Sequence, residues 1–85
     1  MYYVYILLLS NKQLYVGITN NIRRRLREHE LGKSLFTKNR LPVKLVFCET
    51  FINKNDAQRR ERYFKTRKGK STIRLMLRET LIKTQ

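Results

Sequence analysis

The chain has one cysteine, one histidine, one proline, three glycines and no tryptophan among its 85 residues. Cys48 alone rules out an internal disulfide framework and a cysteine zinc site. With one Cys and His29 as the only imidazole, catalytic zinc is not expected either. There is no linker, internal repeat or low-complexity segment. No apolar run approaches the roughly 18 residues that a membrane span needs. The start, Met1-Tyr2-Tyr3-Val4, has no basic stretch ahead of an apolar one, so no signal peptide is expected. One free thiol suits a reducing compartment, and the expectation is a cytoplasmic protein that does not engage membranes.

Acids are scarce too. Twenty Lys and Arg face six Asp and Glu, a formal net charge of +14. Such an excess destabilises a compact fold by self-repulsion unless a polyanion relieves it. Nucleic acid, bound with release of counterions, is the usual one. A membrane surface fits less well, because the basic residues are spread along the chain and not gathered on one amphipathic helix. A hydrophobic fraction of 41%, regularly spaced, excludes a disordered basic tail. The length makes one domain spanning residues 1–85, with a modest core and its binding surface on the outside.

Two alternating runs rich in β-branched and aromatic residues, Tyr2 to Leu9 and Leu14 to Thr19, flank the turn residues Ser10-Asn11-Lys12 and predict a β-hairpin. Parity separates its faces. Val4, Ile6, Leu8, Leu14, Val16 and Ile18 form an aliphatic side suited to the core. Tyr3, Tyr5, Leu7, Tyr15, Gly17 and Thr19 form a second side expected to face something other than the core. A three-residue loop pairs Leu9 with Gln13 and sets Tyr5 opposite Gly17, where a glycine leaves space beside the Tyr5 ring. Asn20-Asn21 starts a helix and Gly32 ends it. Ile22, Leu26 and His29 share one face, and Arg25 borders it. Arg24 and Arg27 point elsewhere. Lys33 to Pro42 is a basic loop, and Val43 to Phe51 reads as a third strand. Asn53 or Asn55 caps a second helix to about Arg67. Lys68-Gly69-Lys70 breaks it, and Ser71 caps a third, with Ile73, Met76, Leu77 and Leu81 as its buried stripe. The expected fold is α+β: a small three-stranded antiparallel sheet flanked by three helices.

Some residues carry more than one reading. Ala57, Glu61 and Phe64 share a stripe, so Glu61 is a carboxylate among apolar neighbours and needs a partner. An ion pair with Lys65 or an arginine would supply one; so would a metal or an acid–base role at a cleft. Tyr3, Tyr5 and Tyr15 are ordinary strand residues, a stacking surface for bases, or catalytic phenols. His29 is a satisfied core histidine or a working one. Arg25 is a snorkelling surface arginine or a phosphate contact. The loop Thr37-Lys38-Asn39-Arg40 is a candidate phosphate clamp. Cys48 reads as small core filler.

In order along the chain, these residues resemble the GIY-YIG nuclease family. Val4-Tyr5-Ile6 stands where the family has Gly-Ile-Tyr or a close variant, and Tyr15-Val16-Gly17 where it has Tyr-Ile-Gly. Arg25 stands at the helix arginine, with His29 one turn later, and Glu61 at the metal-binding glutamate. Arg40-Leu41-Pro42-Val43-Lys44-Leu45-Val46 resembles the segment before the third strand in the small stand-alone branch. The similarity runs from Tyr2 to about Leu81. One departure is Val4 in place of the glycine-type start. No functional group is lost by it.

The resemblance implies phosphodiester hydrolysis by an endonuclease. It makes Tyr5 the general base, helped by Tyr15, with Arg25 on the scissile phosphate and Gly17 as the structural glycine of its motif. His29 would orient the tyrosine or the phosphate. Glu61 would hold one Mg²⁺ or Mn²⁺; a single carboxylate suits Mg²⁺, which keeps several waters and takes up phosphate oxygens. Arg24, Arg27, Lys33, Lys38, Arg40 and Lys65 are candidates for binding the nucleic-acid backbone. DNA is expected ahead of RNA, and branched, flapped or damaged DNA ahead of plain duplex. A protein partner could supply specificity. The alternatives are a basic DNA- or RNA-binding module without catalysis and a protein that grips an acidic partner.

Overall fold

The computed structural model describes residues 1–84. Its elements are β1 (Tyr2–Leu8), β2 (Leu14–Thr19), α1 (Ile22–Glu30), β3 (Lys44–Phe51), α2 (Lys54–Phe64), α3 (Arg67–Met76) and α4 (Arg78–Thr84). The strands form one antiparallel sheet in the order β2-β1-β3. The most apolar strand, β1, is therefore central. This α+β architecture is the one expected.

The hairpin closes as its sequence predicts. The Leu9 amide donates to the Gln13 carbonyl (2.9 Å) and the Lys12 amide to the Leu9 carbonyl (3.0 Å). Lys12 takes the left-handed conformation, φ 71°, that a three-residue hairpin loop needs at its third position. Tyr5 pairs with Gly17. On the far side of β1, a register irregularity between Ile6 and Leu7 shifts the pairing with β3.

Both faces of β1 are buried, which corrects the expectation of a non-core tyrosine side. Val4, Ile6 and Leu8 pack with Ala57 and Phe64 of α2, Ile73 of α3, and Leu77 and Leu81. Tyr5, Leu7 and Leu9 pack with Tyr15, Ile22 and Leu26 from the α1 side and with Val43. A strand covered on both sides reads as a near-continuous apolar run, as Tyr2 to Leu9 does.

The helical region departs from expectation at the second boundary. The break falls at Lys65-Thr66, where the Thr66 side chain caps α3 by accepting from the Gly69 amide. Gly69 lies inside the first turn of α3, buried against the last turn of α2. A Cβ there would run into the Tyr63 carbonyl and the Phe64 backbone. The glycine thus serves close approach and not helix termination, and the cap is Thr66 and not Ser71. A second break at Leu77 gives four helices among the described residues instead of three. It leaves Ile73, Leu77 and Leu81 buried but Met76 exposed. Cys48 is also exposed, on an edge strand and not in the core. No helix among the described residues is long and apolar enough to cross a membrane.

Candidate active site

The site grows from the Tyr5–Gly17 pair. The Tyr5 ring lies over Gly17, and a Cβ on residue 17 would collide with the ring and its hydroxyl. The space left by the glycine is filled by Tyr5 itself. This directs the phenol towards α1, where Asn21 caps the helix by accepting from the Arg24 amide. Two turns along α1, the His29 ring meets it. Tyr5 Oη lies 2.9 Å from His29 Nε2, and His29 Nδ1 lies 2.8 Å from Thr37 Oγ1. Tyr5 is 1% exposed and His29 and Thr37 are 0% exposed.

Electrostatics fix how this chain is protonated. Burial, and then the Arg25 charge, hold the imidazole below its ordinary pKa of 6.5. His29 is therefore neutral and has one donor and one acceptor nitrogen. Burial and the neighbouring Tyr15 push the Tyr5 phenol up to about 12, against the opposing pull of Arg25. A phenol held protonated is best satisfied by donating to Nε2. Nδ1–H then donates to Thr37 Oγ1. Thr37 thereby sets the tautomer that accepts from Tyr5.

Arg25 is half-buried beside the two phenols. Its Nη1 donates to Glu28 Oε1 (2.9 Å) and its Nη2 to Ser34 Oγ (3.5 Å). The contact with Arg25 holds the Glu28 carboxyl below its usual value. Tyr15 is the half-buried member of the cluster. Its ring centroid is 5.2 Å from that of His29, 6.3 Å from Tyr5 and 5.3 Å from Phe36.

Tyr15 also opens the cluster to solvent. A groove of about 560 Å³ is lined by Tyr15, Val16, Phe36, Lys65, Lys70 and Arg74, among others. Tyr15 and Val16 point to opposite sides of β2. A groove that both residues line passes round the free edge of that strand. It connects the tyrosine face with the junction of α2 and α3.

Glu61 stands at this junction. Its side chain is 16% exposed, and Lys65 Nζ lies 2.6 Å from Oε2. The i,i+4 pairing is one of the partners its stripe position demanded. No hydrogen bond or ion pair joins Glu61 to the tyrosine cluster among the described residues; its partner Lys65 lines the groove that Tyr15 also lines. Glu61 offers one carboxylate, and no group of three His, Cys, Asp or Glu side chains suited to a metal occurs among the described residues. This donor set fits a hard divalent ion that keeps most of its waters. It does not fit a cage made wholly of protein ligands.

The basic candidates divide. Arg24, Arg27, Lys33 and Lys38 are exposed on α1 and its following loop. Arg24 also makes a loose contact with Glu28, at 3.9 Å. Arg40 is engaged within the fold: it sits 4.9 Å from the Phe36 ring centroid and donates to the Phe36 carbonyl. That posture uses one of its N–H donors and holds the guanidinium against the Phe36 ring. Lys65 lines the groove while holding Glu61. Phe36, Lys70 and Arg74 were not among the expected site residues. Phe36 gave no signal in a loop read only for charge. Lys70 and Arg74 fall on one face once the helix is started at Thr66.

A family model described as the GIY-YIG catalytic domain matches residues 1–74. The chain belongs to the GIY-YIG family. It is a nuclease family, and its members are generally dependent on a divalent metal. A UPF0213 protein of Clostridium perfringens is 48% identical over 66 residues, which cover 76% of this chain and 71% of that protein. One of Streptococcus agalactiae is 45% identical over 73 residues, covering 82% and 83%. The solution NMR structure of a UPF0213 protein from Bacillus halodurans shares 34% identity with a TM-score of 0.58, over 89% of this chain and 85% of that one. UPF0213 proteins are a stand-alone GIY-YIG branch. Within the matched span, the strand register pairs Tyr5 of β1 with Gly17 of β2.

Proposed function

We propose that this chain is a metal-dependent endonuclease that hydrolyses phosphodiester bonds in DNA, favours branched, flapped or damaged structures, and serves repair or recombination. One observation carries the reading: a buried Tyr5–His29–Thr37 hydrogen-bonded chain stands beside Arg25 and opens through Tyr15 onto a basic groove. A basic binding surface alone needs no such chain.

Hydrolysis requires water to attack phosphorus in line with the leaving oxygen while negative charge builds on the phosphoryl oxygens. The resemblance gave the water to Tyr5. Burial argues for a different division of labour. Tyr5 is sealed, its hydroxyl is taken by His29 and its pKa is about 12. Tyr15 lines the groove and is the phenol that meets water and phosphate. Tyr5 and His29 stand behind it and fix its surroundings. Arg25, held by Glu28 and Ser34, offers a fixed guanidinium to the phosphoryl oxygens, where preorganised charge is most effective. Glu61 would hold one Mg²⁺ or Mn²⁺, which when bound supplies positive charge to the phosphate and the leaving oxygen. Lys65 contacts only Oε2 and leaves Oε1 for the ion, and the exposed Arg24, Arg27, Lys33 and Lys38 grip the flanking backbone.

The test is cleavage of an end-labelled panel (single strand, duplex, flap, fork, four-way junction and structured RNA) with Mg²⁺, Mn²⁺ or chelator. Glu61→Ala and Arg25→Ala should each lower metal-dependent cleavage by roughly 10²-fold or more. Unchanged cleavage in both variants sinks the assignment. The Lys65–Glu61 contact favours a second reading, a DNA- or RNA-binding module without catalysis. Tight, salt-sensitive binding with no cutting of any panel member would select it.

A further inference from the structure

Phe36 is an aromatic ring that the fold holds in place without burying. It is 53% exposed. Arg40 covers it at 4.9 Å, and the Tyr15 ring flanks it at 5.3 Å, inclined at 37°. A ring fixed by its neighbours and still open to solvent is a stacking platform whose ordering cost is already met. Across the groove, Lys70 and Arg74 stand one turn apart on α3, and both are exposed. Neither has an acidic partner among the described residues. The two cations and the partly exposed ring therefore line one space.

The size of that space sets what can enter. A groove of about 560 Å³ lies within the roughly 300–1,000 Å³ of sites that enclose small organic ligands. One nucleotide is of that size. A paired duplex is not, because it is far larger than that volume and its bases are already stacked on one another. Gln13, Leu14, Tyr15 and Val16, at the start of the edge strand β2, also line it, so the groove runs from the platform to Tyr15 of the cluster.

We infer that the groove between Phe36 and α3 is a binding site for an unpaired nucleotide of a single-stranded DNA segment, its base stacked on Phe36 and its phosphates held by Lys70 and Arg74. This names the substrate element of the site under the nuclease reading and rests on that reading for its catalytic meaning. The site feeds the strand to the tyrosine cluster from the single-stranded side of a flap or fork.

The experiment is fluorescence anisotropy in chelator, without divalent metal, on the full chain. The probes are a labelled oligothymidylate, a duplex with a single-stranded tail and a blunt duplex. The native chain should bind the tailed duplex roughly 10-fold or more tightly than the blunt one, as one stacked base allows. Phe36→Leu keeps apolar bulk against Tyr15 but lacks the π-face, and it should lose that preference; Phe36→Tyr should keep it. Lys70→Ala with Arg74→Ala should lower the slope of log affinity against log salt by about 0.7 per lost phosphate contact. Equal binding of tailed and blunt duplexes by the native chain overturns the inference, and so does an unchanged preference in Phe36→Leu. A parallel cleavage arm with Mg²⁺ tests the nuclease reading alone, and the binding result stands whichever way that arm falls.

Discussion

The odd and even residues of β1 meet two unlike interiors. Val4, Ile6 and Leu8 are covered by Phe64, Ile73 and Leu81 in an interior made of hydrocarbon. Tyr5, one residue out of step, enters an interior where each polar atom is matched by another: a phenol by an imidazole, the imidazole by a threonine. No buried side-chain polar atom among the described residues lacks a partner. The two sides are equally dry but differ in what a substitution would cost. A hydrocarbon interior loses packing when it is cut, and the loss is stability. A hydrogen-bonded interior loses a protonation state, and the loss is chemistry.

The largest effect that would expose this difference comes from two paired substitutions. Phe64 is fully buried, meets the Phe47 ring edge-on at 6.1 Å and is capped by Arg60 at 4.3 Å. Phe64→Ala should cost about 3–5 kcal/mol in urea unfolding, a large part of what so short a domain has. Tyr5→Phe keeps the ring over Gly17 and leaves only His29 Nε2 unpaired. It should cost about 1–3 kcal/mol while cleavage falls by more than the stability loss accounts for. Equal stability losses in the two variants, with cleavage tracking stability, would mean that the faces do not differ in kind.

The same contrast explains what was legible in the sequence. Period-two alternation reports which residues share a side, and it was right for every position of the hairpin. It does not report whether a side is covered. Tyr5 and Tyr15 look alike in the pattern, yet Tyr5 is sealed and Tyr15 lines the groove, because only tertiary packing of α1 and the loop of residues 31–43 distinguishes them. Glu61 was visible as a charge in an apolar stripe, and Lys65 as one of its candidate partners. Gly69 misled, since a glycine amid lysines is a helix breaker in sequence and a contact point in space. A helix started at Ser71 leaves Lys70 outside it, so the Lys70–Arg74 face exists only with the start at Thr66. In sequence Thr37 stands out only by its basic neighbours; its hydrogen-bond partner is the side chain of His29, eight residues away on α1.

A smaller effect tests the polar side by itself. Thr37→Val preserves shape and removes the partner of His29 Nδ1. Without that partner either tautomer of His29 is available, and the bond from Tyr5 is no longer specified. Cleavage should fall roughly 10-fold with the folded structure retained, and the acid limb of the pH–rate profile should move. Thr37→Ser restores the hydroxyl and should restore the profile. If Thr37→Val lowers rate and stability but leaves the profile where it was, Thr37 is packing and not a positioning residue.

The mildest probe is pH. His29 is held below 6.5 in the fold, by burial first and then by Arg25. Unfolded, it takes up a proton as pH falls through about 6.5, while the native imidazole does not. The unfolded state then binds more protons, so stability drops as pH falls from that value through the depressed folded one. Tyr5 gives the opposite limb. Its phenol ionises at 10.0 when unfolded and at about 12 in the fold, so stability drops as pH rises through that window. Both limbs belong to the buried groups of the tyrosine side, His29 and Tyr5, since the buried residues of the other cluster, Val4, Ile6, Leu8 and Phe64 among them, are hydrocarbon. Urea midpoints from pH 5 to 7 should therefore fall on the acid side in the native chain and flatten in His29→Gln. Those from pH 9 to 12, taken in a Cys48→Ser background to remove the thiol, should lose their alkaline drop in Tyr5→Phe. Phe64→Leu should shift every midpoint down and leave both limbs in place, which is the signature of a face that stabilises without titrating.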